Sequence, residues 1–313
     1  MSGPADIGTV RAVLDVSPEV AGALADSTPV VALESTLICH GLPPERRIDV
    51  AGQIEAAVRA RGAVPATVGV IDGRLVVGLR NEQIRRLATA DGVLKLSTRD
   101  LAPALALGRD GATTVASTAV AAARAGIAVF ATGGLGGVHR QARDSWDESA
   151  DLAVLARTAV TVVCAGVKSI LDVAATLERL ESLSVTVLGY RSDHFAGFYQ
   201  SDSGHRAPWR VDSPEDVAAV MRYGKLLALG PSALIVANPL PVGEQLDPQL
   251  HDRVLGQALT AAQEAGVTGK EVTPYLLEHF HATTGGRSVD VNVTVILRNA
   301  ALAADIAVAA ARR

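Results

Sequence analysis

Three residues of this chain stand where covalent or acid–base chemistry on a small polar substrate can be done. Lys168, in CAGVKSILD, lies between an apolar β-branched run, VTVVCAG, and a stretch of helical spacing that begins near Ser169. Desolvation and the partial positive charge of a helix N-terminus both disfavour an ammonium. A neutral lysine amine attacks a sugar C1 and forms an imine. The same position also suits a lysine paired with Asp172 at a helix start. Glu34, in ALESTLICHGLPP, sits where an extended run meets a loop of small, hydroxyl-bearing and Gly/Pro residues. A carboxyl on such an apolar rim can act as an acid, or it can accept the backbone N–H groups of the Ser35-Thr36 turn. Lys95, in VLKLSTRD, is a charge inside an apolar strand, costly unless it meets an anion such as phosphate or a nearby carboxylate.

Weaker features surround these three. The cluster Thr132-Gly133-Gly134-Leu135-Gly136-Gly137-Val138-His139 lets backbone amides approach an anion or makes a tight turn, and it lacks the GxGxxG spacing of a dinucleotide site. His139 is either an acid–base group or a structural loop histidine. Asp144, Asp147, Glu148 and Asp151 form an acidic run around Trp146 and Ser149. Oxygen donors so closely spaced suit Mg²⁺ or Mn²⁺ with retained waters, or simply a solvated helix start capped by Ser149. Asn292, just inside the helical stretch after Gly285-Gly286-Arg287-Ser288, either faces a ligand or lies on the helix surface.

The elements that must position these groups alternate short β-branched runs with longer helical patterns, the signature of a layered α/β fold. Strands are expected at Val30–Leu33, Val93–Leu96, Ile127–Ala131, Val160–Cys164, Val185–Leu188 and Leu234–Ala237. Helices are expected at Ile48–Arg61, Thr114–Arg124, Ser169–Leu183 and Pro214–Ala228, with three more near Leu250–Ala265, Glu271–Ala282 and Val289–Ala310. ATVGVIDGRLVVGL, Ala66–Leu79, reads as a hairpin turning at Asp72-Gly73, so the sheet is expected to be mixed. Polar residues follow the strands: Glu34, Thr132, Lys168 and Asn238 each lie at or just beyond an apolar run. Ligands of open α/β sheets bind outside the carboxyl ends of strands, so one end of the sheet carries the candidate chemistry.

Composition excludes several classes. The net charge of −4, with no basic run, argues against a nucleic-acid partner, and the two cysteines, Cys39 and Cys164, fit no metal spacing and suit a reduced cytoplasmic protein. The N-terminus lacks the apolar core of a signal peptide. No stretch reads as a membrane span, Ala300–Ala310 being interrupted by Asp305. One domain over residues 1–313 is expected, with a flexible segment at about 1–10.

Taken in order, VALESTLICHGLPP, GAVPATVGVIDGRLVVGL, ATTVASTAV, VFATGGLGGVHR, DESADL, VVCAGVKSILD, GKEVTPYLL and GGRSVDVNV resemble the pseudouridine-5′-phosphate glycosidase family, also called indigoidine synthase A-like. The matches run from about Val30 to near the C-terminus. The resemblance implies a three-layer α/β/α fold with a mixed central sheet, a homotrimer, one Mn²⁺ per subunit and a small-molecule substrate made of ribose 5-phosphate and a planar aglycone. It makes Lys168 the imine-forming nucleophile and Glu34 the proton donor. It places Asp147 at the metal, and Lys95, Val115, His139, Ser149, Ala150, Asp151 and Asn292 against the substrate. Related enzymes of the alnumycin type run the reaction in synthesis, attaching ribose 5-phosphate to an aromatic polyketide. The chain departs from the family pattern at Thr98, at Arg191 and around His194. Lying apart from the reacting groups, these changes are expected to bear on which aglycone is accepted.

Overall fold

A computed structural model describes residues 14–267 and 272–312; the N-terminal segment expected to be flexible, and Glu271, lie outside them. Among the described residues eleven strands form one sheet: β1 (Leu14–Val16), β2 (Val30–Leu33), β3 (Val64–Ile71), β4 (Arg74–Val77), β5 (Leu94–Leu96), β6 (Gly111–Thr113), β7 (Val129–Ala131), β8 (Thr161–Cys164), β9 (Thr186–Tyr190), β10 (Trp209–Val211) and β11 (Leu234–Ala237). Their order is β1-β4-β3-β2-β7-β8-β11-β9-β10, and β6 pairs both β3 and β5. From β3 to β10 the path is parallel, whereas β3 pairs antiparallel with β4 through the Asp72-Gly73 hairpin and with β6. The sheet is therefore mixed, as the hairpin signal required.

Alternate residues of the central strands enter opposite cores. Val31 and Leu33 of β2, Val129 and Ala131 of β7, Val163 of β8 and Val236 of β11 face one side. Helices Pro44–Arg59, Pro214–Leu226 and Arg287–Ala311 cover them. Val30, Ala32, Phe130, Val162, Cys164 and Ile235 face the other, under Val115–Ala125, Pro248–Glu264 and Val272–Thr283. Two covered faces explain why these strands read as unbroken apolar runs. Ala, Val and Leu dominate both cores, as the 3% aromatic content dictates.

Three expectations change. The helix expected to begin near Ser169 starts at Val173, where Asp172 caps it by accepting the Ala175 N–H at 2.9 Å. Residues 165–171 thus form a loop, and Lys168 is not at a helix N-terminus. The residues after Glu34, expected as a loop, form a one-turn helix, Thr36–His40. Finally, Arg287–Ala311 has the length and hydropathy of a membrane span, which the sequence pattern did not suggest. Its apolar side packs on β2, β7 and β8, and it buries Asn292 and Asn299 as well as its aliphatic residues. It is the central helix of one core.

Candidate active site

An open cleft lies at the carboxyl ends of β2, β7 and β8. Glu34, Lys95, Lys168 and Asn292, taken from four distant stretches of sequence, all line it. Its floor is Gly133-Gly134. Leu37, Phe198, Pro274 and Leu277 form apolar walls, and Thr36, His40 and Thr273 add polar groups.

Glu34 leaves β2 half-buried, and both of its carboxylate oxygens are engaged by hydroxyls. Thr36 donates to Oε2 from the short helix, and Thr132 donates to Oε1 from the end of β7. The acceptor role expected for Glu34 is real, but its partners are side-chain hydroxyls rather than turn amides. Thr132 is wholly buried. Its carbonyl, with that of Gly133, accepts the Asn299 amide at 2.8 and 3.3 Å.

Lys168 projects from a loop pinned at several points. Its N–H donates to the Leu135 carbonyl at 3.1 Å, and the Leu135 N–H donates to the Gly166 carbonyl at 2.9 Å. The carbonyls of Ser169 and Ile170 each accept from Arg140 at 3.2 Å. The Ser169 hydroxyl meets His251 Nε2 at 2.9 Å, deep in the fold. Asp172 is the cap of the next helix, so it is not the lysine's partner.

His139 does not line the cleft but feels both of its lysines. Burial lowers the imidazole pKa from the ordinary histidine value; Asp147 opposes that shift, and the charges of Lys168 and Lys95 add to it. Its Nδ1 lies 3.8 Å from Asp147 Oδ2, and its N–H donates to the Asp147 carbonyl at 3.1 Å.

The acidic run is dispersed by the fold. Glu148 pairs with Arg179 at 3.0 Å, and the Asp151 carboxylate is buried, accepting the N–H groups of Ala116 and Gly136 at 3.0 and 2.8 Å. Among the described residues no group of three or more His, Cys, Asp or Glu side chains is placed to share a metal. Asp147 remains as a single, partly exposed oxygen donor. Ser149 caps Ala150–Leu155 by accepting the Asp151 N–H, and Val115 is buried as the first residue of its helix. Ser149 and Asp151 lie against Gly136-Gly137, and Ala150 is exposed. The glycine cluster owes its composition to close packing. A Cβ on Gly134 would meet the Phe198 ring at 2.6 Å, and one on Gly136 would meet Ser149 Oγ at 2.2 Å.

Thr98, Arg191 and His194 lie off the cleft. Arg191 stacks its guanidinium 5.1 Å over Tyr190 and donates to the Asp212 carbonyl, His194 pairs with Asp202 at 3.0 Å, and Thr98 opens helix Thr98–Ala106. None of the three residues expected to bear on the aglycone lines the cleft. Sequence reasoning placed Thr132 at a strand end but missed Thr36, Arg140, His251 and Asn299, because hydroxyl, guanidinium, imidazole and amide groups carry no spacing signal until the fold joins them.

The sequence matches the family described as indigoidine synthase A like protein over residues 19–309. The chain belongs to that family. Within it, the chain is 60% identical to the pseudouridine-5′-phosphate glycosidase of Salinispora tropica, over 94% of this chain and 91% of the relative. It is 58% identical to the enzyme of the same name from Streptomyces griseus, over 95% and 92%. Among solved structures it is similar to the prealnumycin C-glycosynthase AlnA in complex with ribulose 5-phosphate, with a TM-score of 0.88, 40% identity and coverage of 96% and 97%. The indigoidine synthase A-like protein of Thermotoga maritima superposes with a TM-score of 0.87 at 34% identity, covering 96% and 97%. The α/β fold with its helix-flanked central sheet is thus the family fold.

Proposed function

We propose that this protein cleaves the C–C glycosidic bond of pseudouridine 5′-phosphate, taking up water and releasing uracil and ribose 5-phosphate. The observation that carries the reading is the convergence of Glu34, Lys95, Lys168 and Asn292 on one cleft, in a chain 58–60% identical to relatives of that name.

The bond explains the residue types. An ordinary glycosidase protonates a leaving oxygen between two carboxylates, but here the leaving atom is carbon and has no lone pair. The Lys168 amine instead bonds to C1′ as the ribose ring opens. Proton transfer to the base carbon then breaks the C–C bond, leaving an imine on ribose 5-phosphate that water hydrolyses. Glu34 carries the protons, its carboxylate oriented by Thr36 and Thr132. Lys95 supplies a positive charge for the phosphate, and Asn292 offers its amide oxygen to the sugar. The apolar walls receive the planar base. Asp147 would hold a hard cation that keeps most of its waters, and such an ion would supply positive charge to an anionic substrate.

The synthetic direction, joining ribose 5-phosphate to an aromatic acceptor, is the second reading, favoured by the likeness to the C-glycosynthase. We also propose a homotrimer, for which the exposed apolar end of helix Pro214–Leu226, with Tyr223, Leu226, Leu227 and Leu229, offers a contact surface. A cytoplasmic setting suits the two buried free thiols, each pushed up to about 12 by desolvation.

The test is to incubate the enzyme with pseudouridine 5′-phosphate, and separately with ribose 5-phosphate plus uracil or a polycyclic aromatic acceptor. Uracil release is expected, and borohydride with ribose 5-phosphate should add one reduced pentose phosphate to the Lys168 peptide. Labelling unchanged in Lys168→Ala would overturn the mechanism. C-glycoside formed only with the polycyclic acceptor would favour the second reading.

A further inference from the structure

Helix Arg287–Ala311 carries two buried asparagines, Asn292 and Asn299, seven residues or two turns apart, about 10 Å along the axis. Asn292 faces the cleft. Asn299 lies beneath it, 1% exposed, with every polar atom of its side chain engaged. Its Oδ1 accepts from Asn238 Nδ2 at 3.0 Å, and its Nδ2 donates to the carbonyls of Thr132 at 2.8 Å and Gly133 at 3.3 Å. Asn238 follows β11 and Thr132 follows β7, so one side chain ties two strand ends to the helix that covers them.

We infer that Asn299 is a positioning residue for Glu34. The inference rests on reading Glu34 as the proton carrier. The path is short: Asn299 holds the Thr132 carbonyl, and the hydroxyl of the same residue donates to Glu34 Oε1. The Asn238 amide occupies the oxygen of Asn299 and thereby turns its NH₂ toward the two carbonyls. A backbone held at its carbonyl fixes the direction of the Thr132 side chain, and with it the orientation of one carboxylate oxygen. A proton carrier works only when its oxygen lies within hydrogen-bond reach of the reacting atom, so loss of this brace should slow proton transfer and spare sugar binding. The Gly133 carbonyl that Asn299 also holds accepts the Ala165 N–H at 2.9 Å, so the brace reaches Glu34 through one side chain and the Lys168 loop only through backbone three residues upstream of the lysine.

Asn299→Asp separates the two effects. It keeps the size and the acceptor for Asn238 but sets an oxygen against the two carbonyls. Turnover of pseudouridine 5′-phosphate is expected to fall about 10- to 100-fold, a part of the roughly 10²–10⁴ that a positioned acid–base group contributes, with KM within about twofold. The extent of borohydride capture of ribose 5-phosphate on Lys168 should match the wild type. Asn238→Ala, which leaves Asn299 in place but unoriented, provides the same split if the buried charge prevents folding. Thr132→Val should add little to either, because residues acting as one unit are not additive. Unchanged turnover in both asparagine variants, or capture falling in step with turnover, overturns the inference alone. A wild type that releases no uracil overturns the functional reading and takes this inference with it.

Discussion

At the residue scale the cleft is defined by how each polar atom is satisfied. Glu34 and Asn292 share the site but differ in this respect. The Glu34 carboxylate already holds two hydroxyl partners, whereas the Asn292 Oδ1 is buried with no hydrogen-bond partner among the described residues. A buried acceptor left unpaired costs about 1–3 kcal/mol, a penalty that a donor on the bound sugar would remove. Asn292→Leu is therefore expected to leave the thermal midpoint unchanged or slightly raised while raising KM for the sugar phosphate about tenfold or more. A lowered midpoint with normal KM would assign Asn292 to structure instead. Asp147 supplies one oxygen donor beside His139, whose imidazole pKa burial lowers. We expect a chelator to lower turnover, Mn²⁺ to restore it, and Asp147→Asn to raise the Mn²⁺ concentration needed; full activity in metal-free enzyme, verified by elemental analysis, would remove the metal from the reading.

Elements matter here through the loops they clamp. The loop carrying Lys168 leaves β8 through Gly166, whose φ of +82° is a conformation that side-chain-bearing residues seldom adopt. A Cβ there would lie 2.1 Å from the Ala196 carbonyl oxygen, so strain and overlap act together. Gly166→Ala should destabilise the fold by about 2–4 kcal/mol, read as a lower urea midpoint, with most of the lysine capture lost even where the protein remains folded. A stable variant with normal capture would show that the loop adapts. The hydrogen bonds from Arg140 and His251 anchor the same loop from two other elements. Lys168 is thus held by its loop where the sequence pattern had suggested a helix end.

Across the whole molecule, helix Pro44–Arg59 lies against β3 and carries Glu55, half-buried, with Thr67 donating to it at 2.6 Å. Burial raises the Glu55 pKa; the Thr67 bond and Arg59 partly oppose that, and Glu19 adds a smaller rise. The folded protein therefore keeps a proton that the unfolded chain has released. Between the unfolded value near 4.5 and the raised folded value, stability falls as pH rises, and the penalty is complete above that window. Glu55→Gln keeps the acceptor for Thr67 and removes the titration. The variant should gain stability over the wild type as pH is raised from about 4 to 7, measured by denaturant midpoints at each pH. A difference that does not change with pH would count against this account.

Periodicity alone determined the layered α/β class, the bounds of β2 and β11, the hairpin at Asp72-Gly73 and the loading of strand carboxyl ends with reactive side chains, because these follow from local alternation and turn chemistry. The ordered motifs determined the family and named Glu34, Lys95, Lys168 and Asn292. The fate of the acidic run was decided only in three dimensions, where Asp151 turns inward to two backbone amides and Glu148 finds Arg179. The same holds for Thr98, Arg191 and His194, expected to bear on the aglycone, which lie off the cleft. Thr132, Asn238 and Asn299 are separated by up to 167 residues along the chain and become one network only when β7, β11 and the last helix converge. Hydrogen bonds between such distant side chains depend on tertiary placement, and local sequence patterns carry no trace of them.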